Sequence, residues 1–179
     1  MKKIISLFII ILFAFANNSC KKAKEEVDEI TEFDIDYQTS MNVPTNTISL
    51  NVPIDFTSPN VATNSTTKLA ENKTASNMID YIKMTKFDVS VGTGNLDFLK
   101  SLNIYVKASG IGETLIASKA VVPTGVTSIS ADLSDVNIKD FITQPNIQFR
   151  VTITIDASTL AGQTLILDSR VHVKATVIK

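Results

Sequence analysis

Among 179 residues the chain carries one cysteine, Cys20, and one histidine, His172. A zinc site needs several His or Cys ligands converging, and a Ser-His-Asp triad needs its histidine beside a nucleophile. His172 stands between Val171 and Val173 with no second such residue near it. It reads as the solvent-facing member of an alternating strand. Asp34 and Asp36 form a D-x-D pair that would supply part of a Ca²⁺ shell, but no EF-hand spacing follows. An exposed strand face accounts for them. No G-x-S-x-G, H-E-x-x-H or Walker loop occurs. Gly92-Thr93-Gly94 is too short to cradle a phosphate. Eighteen acids always offer carboxylate pairs for glycoside hydrolysis. Yet Asp97, Asp132, Asp135 and Asp140 fall at expected turns and helix starts, where capping explains them. The expectation is a protein that is not an enzyme and uses no cofactor and no metal. A hydrolase working with carboxylates alone is the least favoured class.

Cys20 differs because of where it stands. Met1-Lys2-Lys3 is a short basic start, and Ile4 to Ala16 is a run of thirteen residues that is apolar but for Ser6. That suits the core of a signal peptide, whereas a membrane-spanning helix needs roughly 17–25 residues. The run ends at Asn17-Asn18-Ser19-Cys20, with a small residue directly before the only cysteine. This arrangement resembles a bacterial lipobox, with Asn17 where an aliphatic residue is usual. Loosened lipoboxes of this kind resemble those of Bacteroidota lipoproteins. Leu96 to Val106 (LDFLKSLNIYV) is also similar to segments of small β-sandwich lipoproteins from that group. The resemblance implies cleavage between Ser19 and Cys20, acylation of Cys20 on its thiol and amine, and attachment to the cell envelope, at the outer membrane. Two or three acyl chains, at about 0.8 kcal/mol per buried CH₂, anchor stably where one is marginal. The alternatives are an ordinary secretory signal with a chance cysteine, or an uncleaved anchor.

The sequence thus divides into a signal over 1–19, an acylated cysteine with a charged tether over 20–32, and a domain over 33–179. Residues 1–19 hold two of the 17 basic residues and no acid, so 15 basic and 18 acidic residues remain, a net charge of −3. That balance speaks against nucleic acid as a partner, since phosphate neutralisation needs a basic face. The tether, KKAKEEVDEITE, reads as a solvated linker. Lys22, Lys24, Glu25, Glu26, Asp28 and Glu29 also resemble the charged export signal of surface-exposed Bacteroidota lipoproteins. Outward display and a periplasmic position both remain open. Twelve extended residues reach at most about 40 Å.

From Phe33 onward the period is two. Phe33, Ile35 and Tyr37 alternate with acids; Ile48 to Phe56, Ile147 to Ile155 and Leu165 to Val177 alternate likewise. Such alternation marks half-buried strands. Pro53 cannot donate to a ladder, so its strand is expected at an edge or broken there. The apolar phase slips between Met84 and Phe87, which a β-bulge at Thr85-Lys86 would produce. Leu96 to Lys100 is expected to form one helical turn before a strand through Leu102, Ile104 and Val106. Leu115 to Ala120 is another strand. Ser134 to Ile142 is expected to be a short helix with Ser134 as N-cap. About eight strands and one or two short helical turns predict an all-β protein, an antiparallel β-sandwich of immunoglobulin-like or jelly-roll type. The cysteine pair and core tryptophan of immunoglobulin domains are absent.

Thr57 to Asn77 is rich in Thr, Asn and Ser, with little periodicity. It reads as a mobile connection or, alternatively, as a recognition loop at one end of the sandwich. Tyr105 is out of phase with Ile104 and Val106, faces outward, and is the one candidate ligand contact. The leading expectation is a lipid-anchored, non-catalytic binding or structural module with an envelope protein as partner. The second is an accessory lipoprotein that captures a glycan or other small ligand for uptake.

Overall fold

A computed structural model describes residues 32–44, 46–47, 52–155, 159–160 and 162–175. Ser19, Cys20 and the tether before Glu32 lie outside the described residues, as do Ile48, Leu50 and Val177 of the expected alternations.

The strands are β1 (Glu32–Val43), β2 (Asn46–Thr47), β3 (Pro53–Thr57), β4 (Val61–Ala62), β5 (Ile79–Val91), β6 (Leu99–Ala108), β7 (Gly112–Lys119), β8 (Ser128–Ser130), β9 (Asp132–Leu133), β10 (Asn146–Ile155), β11 (Thr159–Leu160) and β12 (Gln163–Ala175). Two short helices, α1 (Ser65–Glu71) and α2 (Lys139–Ile142), join them with a 3₁₀ turn at Ser76–Met78. One sheet has the order β1-β12-β5-β8, and the second has β3-β10-β6-β7-β9 with β4 also on β10. Every pairing is antiparallel.

This order follows from rolling up one long hairpin. Its limbs pair β1 with β12, β3 with β10, β5 with β8 and β6 with β7. Rolling then sets β12 beside β5 and β10 beside β6. Two four-stranded sheets formed this way are a jelly roll, so the strand order decides between the two expected sandwich types. Pro53 opens the edge strand β3, as a residue without an N–H should. Opposite β12 the register slips where Thr85 is extra, since Arg170 faces Lys86 and Val171 faces Met84. The bulge returns Met84 and Phe87 to the same buried face.

Between the sheets, alternate residues interdigitate. Phe87 on β5 meets Phe149 on β10 edge to face, with ring centres 5.2 Å apart, and both are fully buried. The chain crosses between sheets at the buried Ala131, where β8 ends in the first sheet and β9 begins in the second.

Three local expectations are corrected. Thr57 to Asn77 is not without regular structure, for it holds β4, α1 and the 3₁₀ turn. Buried hydroxyls pin it. Ser58 pairs with Phe149 in both directions, its N–H donating to the Phe149 carbonyl and its Oγ accepting from the Phe149 N–H at 2.9 Å. The Thr63 hydroxyl donates to the Gln144 carbonyl, and the Thr63 carbonyl accepts from the buried Tyr37 hydroxyl at 3.1 Å. Burial pushes the Tyr37 phenol pKa up. Second, the helix expected over Ser134 to Ile142 is only Lys139–Ile142. Asn137 stops it from starting earlier, because its side-chain oxygen accepts from the N–H groups of Ile82 and Lys139, both at 3.1 Å. Third, the turn expected over Leu96 to Lys100 is confined to Leu96–Leu99, closed by Leu99 N–H to Leu96 C=O, because β6 already begins at Leu99.

Candidate functional site

The outward residues of the second sheet fall into rows set by strand register. Arg150 on β10 lies opposite Tyr105 on β6, and Tyr105 lies opposite Leu115 on β7. One step nearer the end of the sandwich, Gln148 lies opposite Lys107 and Lys107 opposite Glu113. A register irregularity between Ile104 and Tyr105 lets β7 turn Leu115 outward while Ile116 and Ala117 are both buried.

Arg150 organises this face. Its side chain is 19% exposed, and its Nε and Nη2 donate to the two oxygens of Glu113 at 2.8 and 2.6 Å. Its Nη1 reaches Asp55 on β3 at 2.9 Å and the Thr152 hydroxyl at 2.7 Å. The guanidinium lies 3.9 Å from the centre of the Tyr105 ring, a cation–π contact. The hydrogen bonds from Arg150 hold the Glu113 carboxyl below its ordinary range. Glu113 therefore stays ionised and fully engaged, a poor donor of protons.

Beside this network is a cleft of about 680 Å³ formed by the start of β10, the β6–β7 turn and the segment after β3. Asn60, Lys107, Glu113, Gln144, Asn146 and Gln148 supply its polar lining. Gly110 and Gly112 shape the β6–β7 turn at φ +78° and +85°, with open space around both. A smaller groove of about 320 Å³ runs along the β1 edge, between Ile35–Thr39 and residues 60–64, and reaches Lys68.

The outer face of the first sheet is spent on ion pairs. Asp36 is bound by Arg170 at 2.7 Å, Asp34 approaches His172 at 2.9 Å, and Glu32 reaches Lys174 at 3.3 Å. Lys86 bridges Asp168 and Asp88. This places the D-x-D pair and His172 together across β1 and β12, as partners in a charge ladder. Among the described residues no group of three or more His, Cys, Asp or Glu side chains could hold a metal. Among them, too, no helix is long and apolar enough to cross a membrane.

Tyr105 faces outward as expected and is half-buried, with Arg150 stacked on its ring. Sequence reasoning missed Arg150, Glu113, Lys107 and the carboxamides. One signal was present: the chain has only two arginines, Arg150 and Arg170, and each binds a carboxylate of another strand in its own sheet with two nitrogens. Asp132 and Asp135 are paired with Lys119 and Lys83, while Asp97 accepts from the Gly125 N–H.

No protein-family profile matches the chain, and no curated protein matches it. Solved structures similar to it include a chain of Cocksfoot mottle virus, at 11% identity over 83% of this chain and 86% of that one, with a TM-score of 0.31. A chain of Desmodium yellow mottle tymovirus shows 9% identity over 83% and 84%, with a TM-score of 0.31. A chain of empty Turnip yellow mosaic virus heads shows 9% over 83% and 84%, with a TM-score of 0.28. The jelly-roll assignment rests on the strand order and not on these likenesses.

Proposed function

We propose that the chain is a lipid-anchored envelope protein whose jelly roll binds a partner or ligand without transforming it. The observation that carries the reading is the position of Cys20. The only cysteine follows the thirteen-residue apolar run directly after Ser19, and the first strand opens at Glu32, twelve positions later. Acylated Cys20 holds the membrane, and the intervening residues set the sandwich off it. Binding rather than catalysis is supported by the state of the acids. Asp34, Asp36, Asp55, Glu113, Asp132, Asp135 and Asp168 each face a basic partner. A carboxylate engaged in this way is a weak general acid or nucleophile.

The second reading, capture of a glycan or small ligand, is favoured by the polar cleft beside Tyr105 and Arg150. The anchor is tested by fractionating cells that express the full chain and its Cys20→Ser variant. The chain should travel with membranes and incorporate a labelled fatty acid, and the variant should incorporate none. A membrane-bound chain that takes up no label refutes the lipid anchor.

A further inference from the structure

We propose that the cleft at the start of β10 binds a carboxylate-bearing saccharide, with Lys107 receiving the carboxylate. The inference rests on the reading of this domain as a binding module and names the ligand chemistry of its cleft.

Lys107 lies opposite Glu113 in the β6–β7 register, where opposite charges ordinarily pair. Here both oxygens of Glu113 are taken by Arg150. Lys107 is half-buried in the cleft wall; its charge acts on Glu113, but it forms no close salt bridge among the described residues. A cation in a concave wall attracts an anion more strongly than one on an open surface, because the walls focus its field.

Four carboxamides line the same cleft: Asn60, Gln144, Asn146 and Gln148. Each offers both donor and acceptor groups, matching the mixed demand of vicinal hydroxyls. Two are oriented before any ligand arrives. The Gln148 amide donates to the Ser58 carbonyl at 3.2 Å, and that of Gln144 to the Asp140 carbonyl at 3.3 Å. Preorganisation of this kind lowers the ordering cost of binding. The volume, about 680 Å³, suits a small oligosaccharide. A bare inorganic anion would leave the carboxamides idle, and a neutral sugar would leave Lys107 idle. A uronic acid uses both.

The test is calorimetric titration of the full chain in detergent with three probes: trigalacturonate, a hyaluronan tetrasaccharide and a mannuronate trimer. At least one should bind, and its carboxyl methyl ester should bind about tenfold more weakly or worse. Lys107→Gln should lose a similar factor. Arg150→Met should also weaken binding although Lys107 is untouched, because Glu113 is then free to pair with it. Arg150→Met combined with Glu113→Gln should restore the affinity, which separates this effect from a failure to fold. Failure of all three probes, an ester that binds as well as the acid, or an unchanged Lys107→Gln variant overturns the proposal. Membrane attachment of the chain is measured separately, so this titration can fail while the anchor stands, and the reverse.

Discussion

Arg150 grips Glu113 through both carboxylate oxygens, at 2.8 and 2.6 Å, from a strand one removed from its own. The pair ties β10 to β7 across β6 and places Lys107 between them, opposite a Glu113 whose two oxygens Arg150 already binds.

The pair predicts an acid sensitivity. Arg150 holds the Glu113 carboxyl below its ordinary 4.5, and Arg170 holds that of Asp36 below its ordinary 3.8. A depressed folded pKa gives stability that is complete above the ordinary value and is lost as pH falls through the depressed one. Tm should therefore fall on acidification from about pH 5 downward, and Glu113→Gln with Asp36→Asn should flatten that fall. Thermal melts across this range provide the check. An unaltered acid slope in the double variant would mean that these pairs do not couple to folding.

The hydroxyl pins of the segment after β3 predict a second effect. Ser58→Ala leaves the Phe149 N–H without its side-chain acceptor, and Thr63→Val removes the donor to the Gln144 carbonyl. Each should cost roughly 1–3 kcal/mol, read as a lower urea midpoint at unchanged slope. Values within about 0.5 kcal/mol of zero would place these hydroxyls among ordinary surface positions.

Such pins explain what the sequence hides. The long strands were legible because one sheet face is buried and the other is wet, which imposes period two on β1, β5, β10 and β12. The bulge at Thr85 was legible as a slip in that period. The Thr63 bond reaches a residue 81 positions away, and periodicity carries no record of it. Asn137 shortens its helix through the same kind of distant partner, the Ile82 N–H. At the site, phase alone turned Tyr105 outward. Its neighbours Arg150, Glu113 and Lys107 come from three strands, and only their register brings them together.

The inter-sheet contact of Phe87 with Phe149 predicts the largest single loss. Phe149→Ala should cost about 3–5 kcal/mol, since the site is enclosed and collapses poorly. Denaturant unfolding measures it. A cost near that of a surface substitution would contradict the close apposition of the sheets at this point.

The charge ladder on β1 predicts a defence against strand addition. β1 is an edge strand with acids at Glu32, Asp34 and Asp36. Edge charges discourage pairing with another chain. Asp34→Thr with Asp36→Thr should raise the mass measured by light scattering as concentration rises, while the unaltered chain holds its mass. Equal behaviour of the two would show that other features guard the edge.

The central claim concerns Cys20, and the mass of the N-terminal peptide tests it most directly. The full chain is expressed in a diderm bacterium, extracted from membranes and digested. The account predicts a first peptide that begins at Cys20 and carries the mass of two or three acyl chains. A peptide beginning at Met1, or a Cys20 with an unmodified thiol, would contradict it.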